Sequence, residues 1–137
     1  MKNSFKRLIL LGLAICFLAS CALLAQNRKQ DYGLLKSAVM FSSDKVIGEY
    51  GEQIPAGFDG NRFMELVGER IPEDYLHVLE NYKLEVEPHG WYYLIKAFDG
   101  DAMILFDYSC TTEIDGPVLD SPGMFDLSNL DKYDRCK

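Results

Sequence analysis

Apolar and polar positions fall into two β-type runs between Trp91 and Tyr108, WYYLIKAF and DAMILFDY, joined by Asp99-Gly100. An Asp-Gly pair between apolar runs predicts a hairpin, because a type I′ turn needs positive φ at both central positions and these residues tolerate it. With that two-residue loop, Ala97 faces Ala102, Ile95 faces Ile104, Tyr93 faces Phe106 and Trp91 faces Tyr108, a wholly apolar side of the pleat. The other side pairs Phe98 with Asp101, Lys96 with Met103, Leu94 with Leu105 and Tyr92 with Asp107, a mixture suited to a surface that is partly solvated or lightly covered.

Upstream, Leu84-Glu85-Val86-Glu87 alternates like a further strand and stops at the turn residues Pro88-His89-Gly90. Helical spacing predicts three helices before it. The first, over 32–43, rests on Leu34, Leu35, Ala38 and Phe41. Val46 to Gly60 reads as a loop with one short strand near Lys45 to Tyr50. Asp59-Gly60-Asn61 then caps a short helix carrying Phe63, Met64, Leu66 and Val67, ended by Gly68. Pro72-Glu73-Asp74 opens the third, whose apolar face is Tyr75, Leu76, Val78, Leu79 and Tyr82. The expected fold is α+β: an antiparallel sheet of three or four strands around the hairpin at 91–108, with two or three helices N-terminal to it. The segment after Cys110, rich in Asp, Gly, Pro and Ser, predicts irregular structure folded back over the sheet.

The N-terminus has a different character. Lys2, Lys6 and Arg7 precede an apolar run from Leu8 to Leu18, the basic and apolar regions of an export signal. That run ends in Leu18-Ala19-Ser20-Cys21, which resembles the lipobox of bacterial lipoproteins. The resemblance covers only residues 1–21 and implies removal of residues 1–20, a lipid on Cys21 and residence in the bacterial cell envelope. Ala22 rather than Asp after the cysteine further implies outer-membrane delivery, with the domain facing the periplasm. Two other readings stay open: an uncleaved anchor from Leu8 to Ala25, about 18 apolar residues long, or ordinary cleavage after Ala25. The expected organisation is a signal peptide at 1–20, a tether at 21–31 and one domain at 32–137.

Charge narrows the choice of partners. Residues 21–137 carry 11 basic against 21 acidic groups, a net charge of −10. So acidic a body argues against nucleic acid and against a basic patch for anionic lipid, and it suits a basic protein partner. Loss of Cys16 with the signal and lipidation of Cys21 leave Cys110 and Cys136 as a pair in an oxidising compartment, where a bridge is expected. A reactive Cys110 thiol beside His77 or His89 is the alternative.

Catalytic signatures are absent: the chain has no G-x-S-x-G, no S-x-x-K and no phosphate-cradling glycine loop. His77, three residues from both Asp74 and Glu80, suggests either a proton-transfer cluster or a solvated helix face. His89, in its turn, is expected at the surface. Two distant histidines do not assemble a zinc site. Asp99, Asp101, Asp115, Asp120, Asp126, Asp131 and Asp134 supply oxygen ligands suited to calcium without a pattern that orders them. No cofactor is implied. Since Trp91, Tyr92 and Tyr93 are consecutive, they cannot all face one core, and Tyr92, Phe98 and Asp101 are expected on an outer, protein-binding face. The expected function is an envelope lipoprotein that binds protein as an accessory, inhibitor or immunity-type module. A small hydrolase without a recognisable motif, or a structural envelope component, is the alternative.

Overall fold

The structure is a computed structural model and describes residues 2–137. Three helices precede a three-stranded antiparallel sheet, the expected α+β arrangement: α1 (Lys2–Tyr50), α2 (Gly60–Gly68), α3 (Glu73–Glu80), β1 (Lys83–Pro88), β2 (Tyr93–Asp99) and β3 (Ala102–Tyr108). A 3-10 turn follows at Leu130–Tyr133. The chain divides into two compact units, Met1–Gly33 and Leu34–Lys137.

In the first unit the large apolar side chains from Leu8 to Leu24 are exposed on α1. Among the described residues α1 is the helix long and apolar enough to cross a membrane, and its apolar stretch, near the N-terminus, is also compatible with an export signal. Residues 21–31, expected as a tether, are helical. ALLAQNRKQD holds neither Gly nor Pro and is rich in strong helix formers.

In the second unit Leu35, Ala38, Val39, Ser42 and Val46 form one buried stripe of α1. Their spacing of three to four residues keeps them on one helix face. The strand expected near Lys45 to Tyr50 is absent because Val46 extends that stripe and keeps the helix going. It stops where Gly51 takes φ 61° and donates its N–H to the Ile47 carbonyl at 2.8 Å. α2 starts as expected: the Asp59 carboxylate accepts the Arg62 N–H at 3.0 Å. Its first residue must be small, since a Cβ on Gly60 would lie 2.7 Å from the Leu84 carbonyl oxygen of β1. α3 follows Pro72 with Glu73 and Asp74 in its first turn and buries Val78 and Leu79.

The sheet order is β1-β2-β3, and the hairpin's register differs from the expected one in two ways. Asp99 pairs with Ala102, so the central turn residues are Gly100 and Asp101 rather than Asp99 and Gly100. Gly100 has φ 62° and, among the described residues, positive φ is confined to glycines, the geometry of a type II′ turn, which spares Asp99 the strained conformation a type I′ turn demands. A β-bulge then follows between Ala97 and Phe98, beyond which Ala97 pairs with Leu105, Ile95 with Asp107 and Leu94 with Tyr108. A one-residue slip exchanges the two faces of a strand. Tyr93 therefore keeps the helix side, where its ring meets Phe58 and Phe63 edge-on, while Phe106 and Tyr108 move to the opposite side with Tyr92 and Leu94.

The C-terminal segment covers that opposite side, as expected, and makes a second core. Tyr92, Leu94, Phe106 and Tyr108 are buried there, with Val118, Phe125, Leu130 and Tyr133 packed against them. Gly116 exchanges backbone hydrogen bonds of 3.1 Å with Phe106, and a Cβ at Gly116 would fall 1.9 Å from the Phe106 ring. The segment thus also pairs with the open edge of β3, which would otherwise invite another chain. Cys110 and Cys136 are bridged, with Cα atoms 6.0 Å apart.

Candidate functional site

The bulge that exchanges the faces of β3 also turns Asp107 towards the helices, opposite Ile95. There a cleft of about 440 Å³ opens between α1 and the end of β3, lined by Met40, Phe41 and Asp44 on one wall and by Asp107, Ser109 and Thr112 on the other. Asp107 is 2% exposed. Burial pushes its carboxyl up to about 8, and the neighbouring Asp115 carboxylate adds to the effect, while the Asp115 N–H, Thr111 and Arg135 oppose it. The opposing contacts are long: Asp107 Oδ1 accepts from the Asp115 N–H at 3.3 Å and lies 3.5 Å from Thr111 Oγ1, whose single proton has nearer acceptors.

Asp115 is better satisfied. Its Oδ2 accepts the Tyr108 N–H at 2.9 Å and Thr111 Oγ1 at 3.1 Å, and its Oδ1 takes Arg135 Nη2 at 2.6 Å and Nε at 3.0 Å. The hydroxyls near the cleft are also engaged. Tyr93 donates to Ser43 Oγ at 3.0 Å, Ser43 donates to the Val39 carbonyl at 3.1 Å, and Ser109 Oγ accepts the Tyr93 N–H at 2.9 Å. Burial holds the Tyr93 phenol well above its ordinary range. The arrangement offers a recessed carboxyl, an acidic neighbour and an apolar rim, which suits recognition of a polar or cationic group.

Tyr92, Phe98 and Asp101 do not form an open aromatic face. Tyr92 is buried beneath the C-terminal segment, where its hydroxyl donates to Asp134 Oδ2 at 2.7 Å, and burial together with that carboxylate pushes its phenol up to about 12. The bulge and the covering segment supply the physical reason: the second core needs an aromatic at this point. Phe98 is half-buried under the Lys83 ammonium, 5.2 Å from its ring centroid, and Asp101 is exposed at the hairpin turn. Trp91, expected with Tyr93 on the core face, is half-exposed.

His89 is not the surface residue its turn suggested. Its ring stacks on Tyr92 at 5.3 Å and 9°, and its Nε2 is enclosed. His77 shares the exposed face of α3 with Asp74 and Glu80. Among the described residues no three His, Cys, Asp or Glu side chains are gathered as a metal site. Of the aspartates weighed for calcium, Asp120 pairs with Lys36 at 2.8 Å, Asp126 with Lys132 at 2.8 Å and Asp115 with Arg135. Cys110 is in the bridge and so offers no thiol, while Cys21 is exposed on α1.

Sequence reasoning missed Asp107 as a site residue. The available signal was its position as the one charged residue inside the apolar run of β3, since buried carboxylates are rare without a partner. No protein-family model, curated protein or solved structure matches the chain.

Proposed function

We propose that this chain is an exported lipoprotein, held in the bacterial outer membrane through a lipid on Cys21, whose acidic domain binds a basic protein in the periplasm without catalysing a reaction. The observation that carries the anchoring is the order of Lys2, Lys6 and Arg7, the apolar run from Leu8 and the tetrapeptide ending at Cys21. The −10 charge of residues 21–137 supports the choice of a basic partner, because complementary potentials steer encounter and disfavour acidic competitors. Affinity capture from envelope extracts tests the binding role. The expected result is a basic protein retained at low salt and released as salt rises; recovery of no such protein would remove that part of the reading.

Asp107 favours a second reading, a small hydrolase, since a carboxyl pushed up to about 8 is suited to proton transfer near neutral pH. Ser43 and Ser109 argue against it. Each hydroxyl is tied to the backbone and to Tyr93 rather than to a base that would activate it.

A further inference from the structure

We propose that the cleft between α1 and the end of β3 receives a lysine side chain of the basic partner, its ammonium meeting Asp107 and its methylene stem lying along Met40 and Phe41. This rests on the binding-module reading above and names the surface and the chemistry that serve it. Met40 and Phe41 are each 39% exposed at the rim, an apolar lining on which an amphipathic stem can lie while its charged tip goes deeper. An ammonium already approaches this rim from within the chain: Lys45 Nζ sits 4.8 Å from the Phe41 ring centroid.

The groups around Asp107 disfavour its ionised form. Asp44 on α1 and Asp115 in the C-terminal segment are acidic, and Tyr93 on β2 is a neutral phenol. Of the cations on this side, Lys45 has its Nζ 4.8 Å from the Phe41 ring centroid at the rim, and Arg135 has Nε and Nη2 both on Asp115 Oδ1. Lysine fits better than arginine. Asp107 Oδ1 already accepts the Asp115 N–H at 3.3 Å, and an ammonium is a compact donor that needs only one carboxylate oxygen, whereas a guanidinium fork is best met by two. Its remaining N–H groups have Ser109 and Thr112 within the same cleft. Because Asp107 is pushed up to about 8, it holds a proton at pH 7 in the empty cleft. An arriving ammonium favours the carboxylate, so the acid's O–H bond breaks and the proton passes to the buffer.

Isothermal titration of the full chain in detergent with a short lysine-containing peptide tests this, using an Nε-acetylated copy of the peptide and cadaverine as comparisons. The expected result at pH 7 is saturable binding of the lysine peptide with proton release, read as a heat that changes with the buffer's ionisation enthalpy. Acetylation, and the variant Asp107→Asn, should each weaken binding at least tenfold, and the variant should also abolish the proton release. Asn keeps the acceptor for the Asp115 N–H, and an unchanged urea midpoint at pH 5 verifies that it folds. Thr112→Lys, at an exposed position, sets a tethered ammonium at the mouth and should also weaken the peptide. Equal binding by Asp107→Asn, equal binding of the acetylated peptide, or no binding at all would overturn the proposal. Cadaverine binding without peptide binding would overturn it in favour of a free-amine site. A basic protein captured equally by the wild-type chain and Asp107→Asn would overturn the cleft alone and leave the binding-module reading standing.

Discussion

The Tyr92 hydroxyl donates to Asp134 Oδ2 at 2.7 Å, joining the start of β2 to a residue 42 positions further along the chain. The Asp134 side chain is fully buried, so this bond satisfies a carboxylate that the fold has removed from water. Removing the phenol takes the short hydrogen bond from Oδ2, while Oδ1 still accepts the Cys136 N–H at 2.9 Å and Lys137 Nζ stays 3.8 Å from Oδ2.

Tyr92→Phe is therefore expected to cost about 1.5–3 kcal/mol, the contribution of a hydrogen bond to a charged group. Tyr92→Ala adds a cavity in the second core and should cost about 3–5 kcal/mol, comparable with Tyr93→Ala on the helix side. Urea denaturation of both variants checks this. A loss below about 1 kcal/mol for Tyr92→Ala would mean that the C-terminal segment does not cover this face.

The Cys110–Cys136 bridge closes the same segment over the sheet, across a sequence separation of 26. Reduction should lower stability by roughly 3 kcal/mol through the freedom regained by the unfolded loop. It should also raise hydrogen exchange at Phe106 and Gly116, whose backbone groups bond to each other. Unchanged exchange there on reduction would show that the second core holds the segment without the bridge.

Asp107 supplies a pH dependence with a definite sign. Its carboxyl titrates at about 8 in the folded chain against 3.8 as the ordinary value, so between these limits the folded state carries a proton that the unfolded state lacks. The associated stability is present at low pH and is lost as pH rises through this window, by at most about 1.4 kcal/mol per pH unit. Asp126, held near 2 by Lys132 and Ser128, acts in the opposite direction but below the window. Asp107→Asn should flatten the decline between pH 5 and pH 8 in thermal melts. A variant with the wild-type slope would assign the decline to other groups.

How far the chain could be read from its sequence follows from the range of the interactions involved. The hairpin was legible because Asp99-Gly100 and its apolar flanks are local. Its register was not, since Gly100 at the first central turn position and the bulge between Ala97 and Phe98 each shift the pairing, and the bulge sends Phe106 and Tyr108 to the other face. The buried state of Tyr92 depends on a segment some forty residues away, whose loop-like composition concealed Phe125, Leu130 and Tyr133 as a covering layer. Cys110 and Cys136 were legible by counting cysteines and following the export reading. Asp107 could be seen in the sequence, but it becomes a cleft residue only through the bulge.

Export and lipid anchoring would both be recorded in the mass of the mature N-terminus. Mass spectrometry of the chain from bacterial envelopes should find a species that starts at Cys21 and carries the added mass of lipid on that residue. A chain that retains Met1 to Ser20, an unmodified Cys21 or a mature start at Gln26 would contradict the lipid anchor.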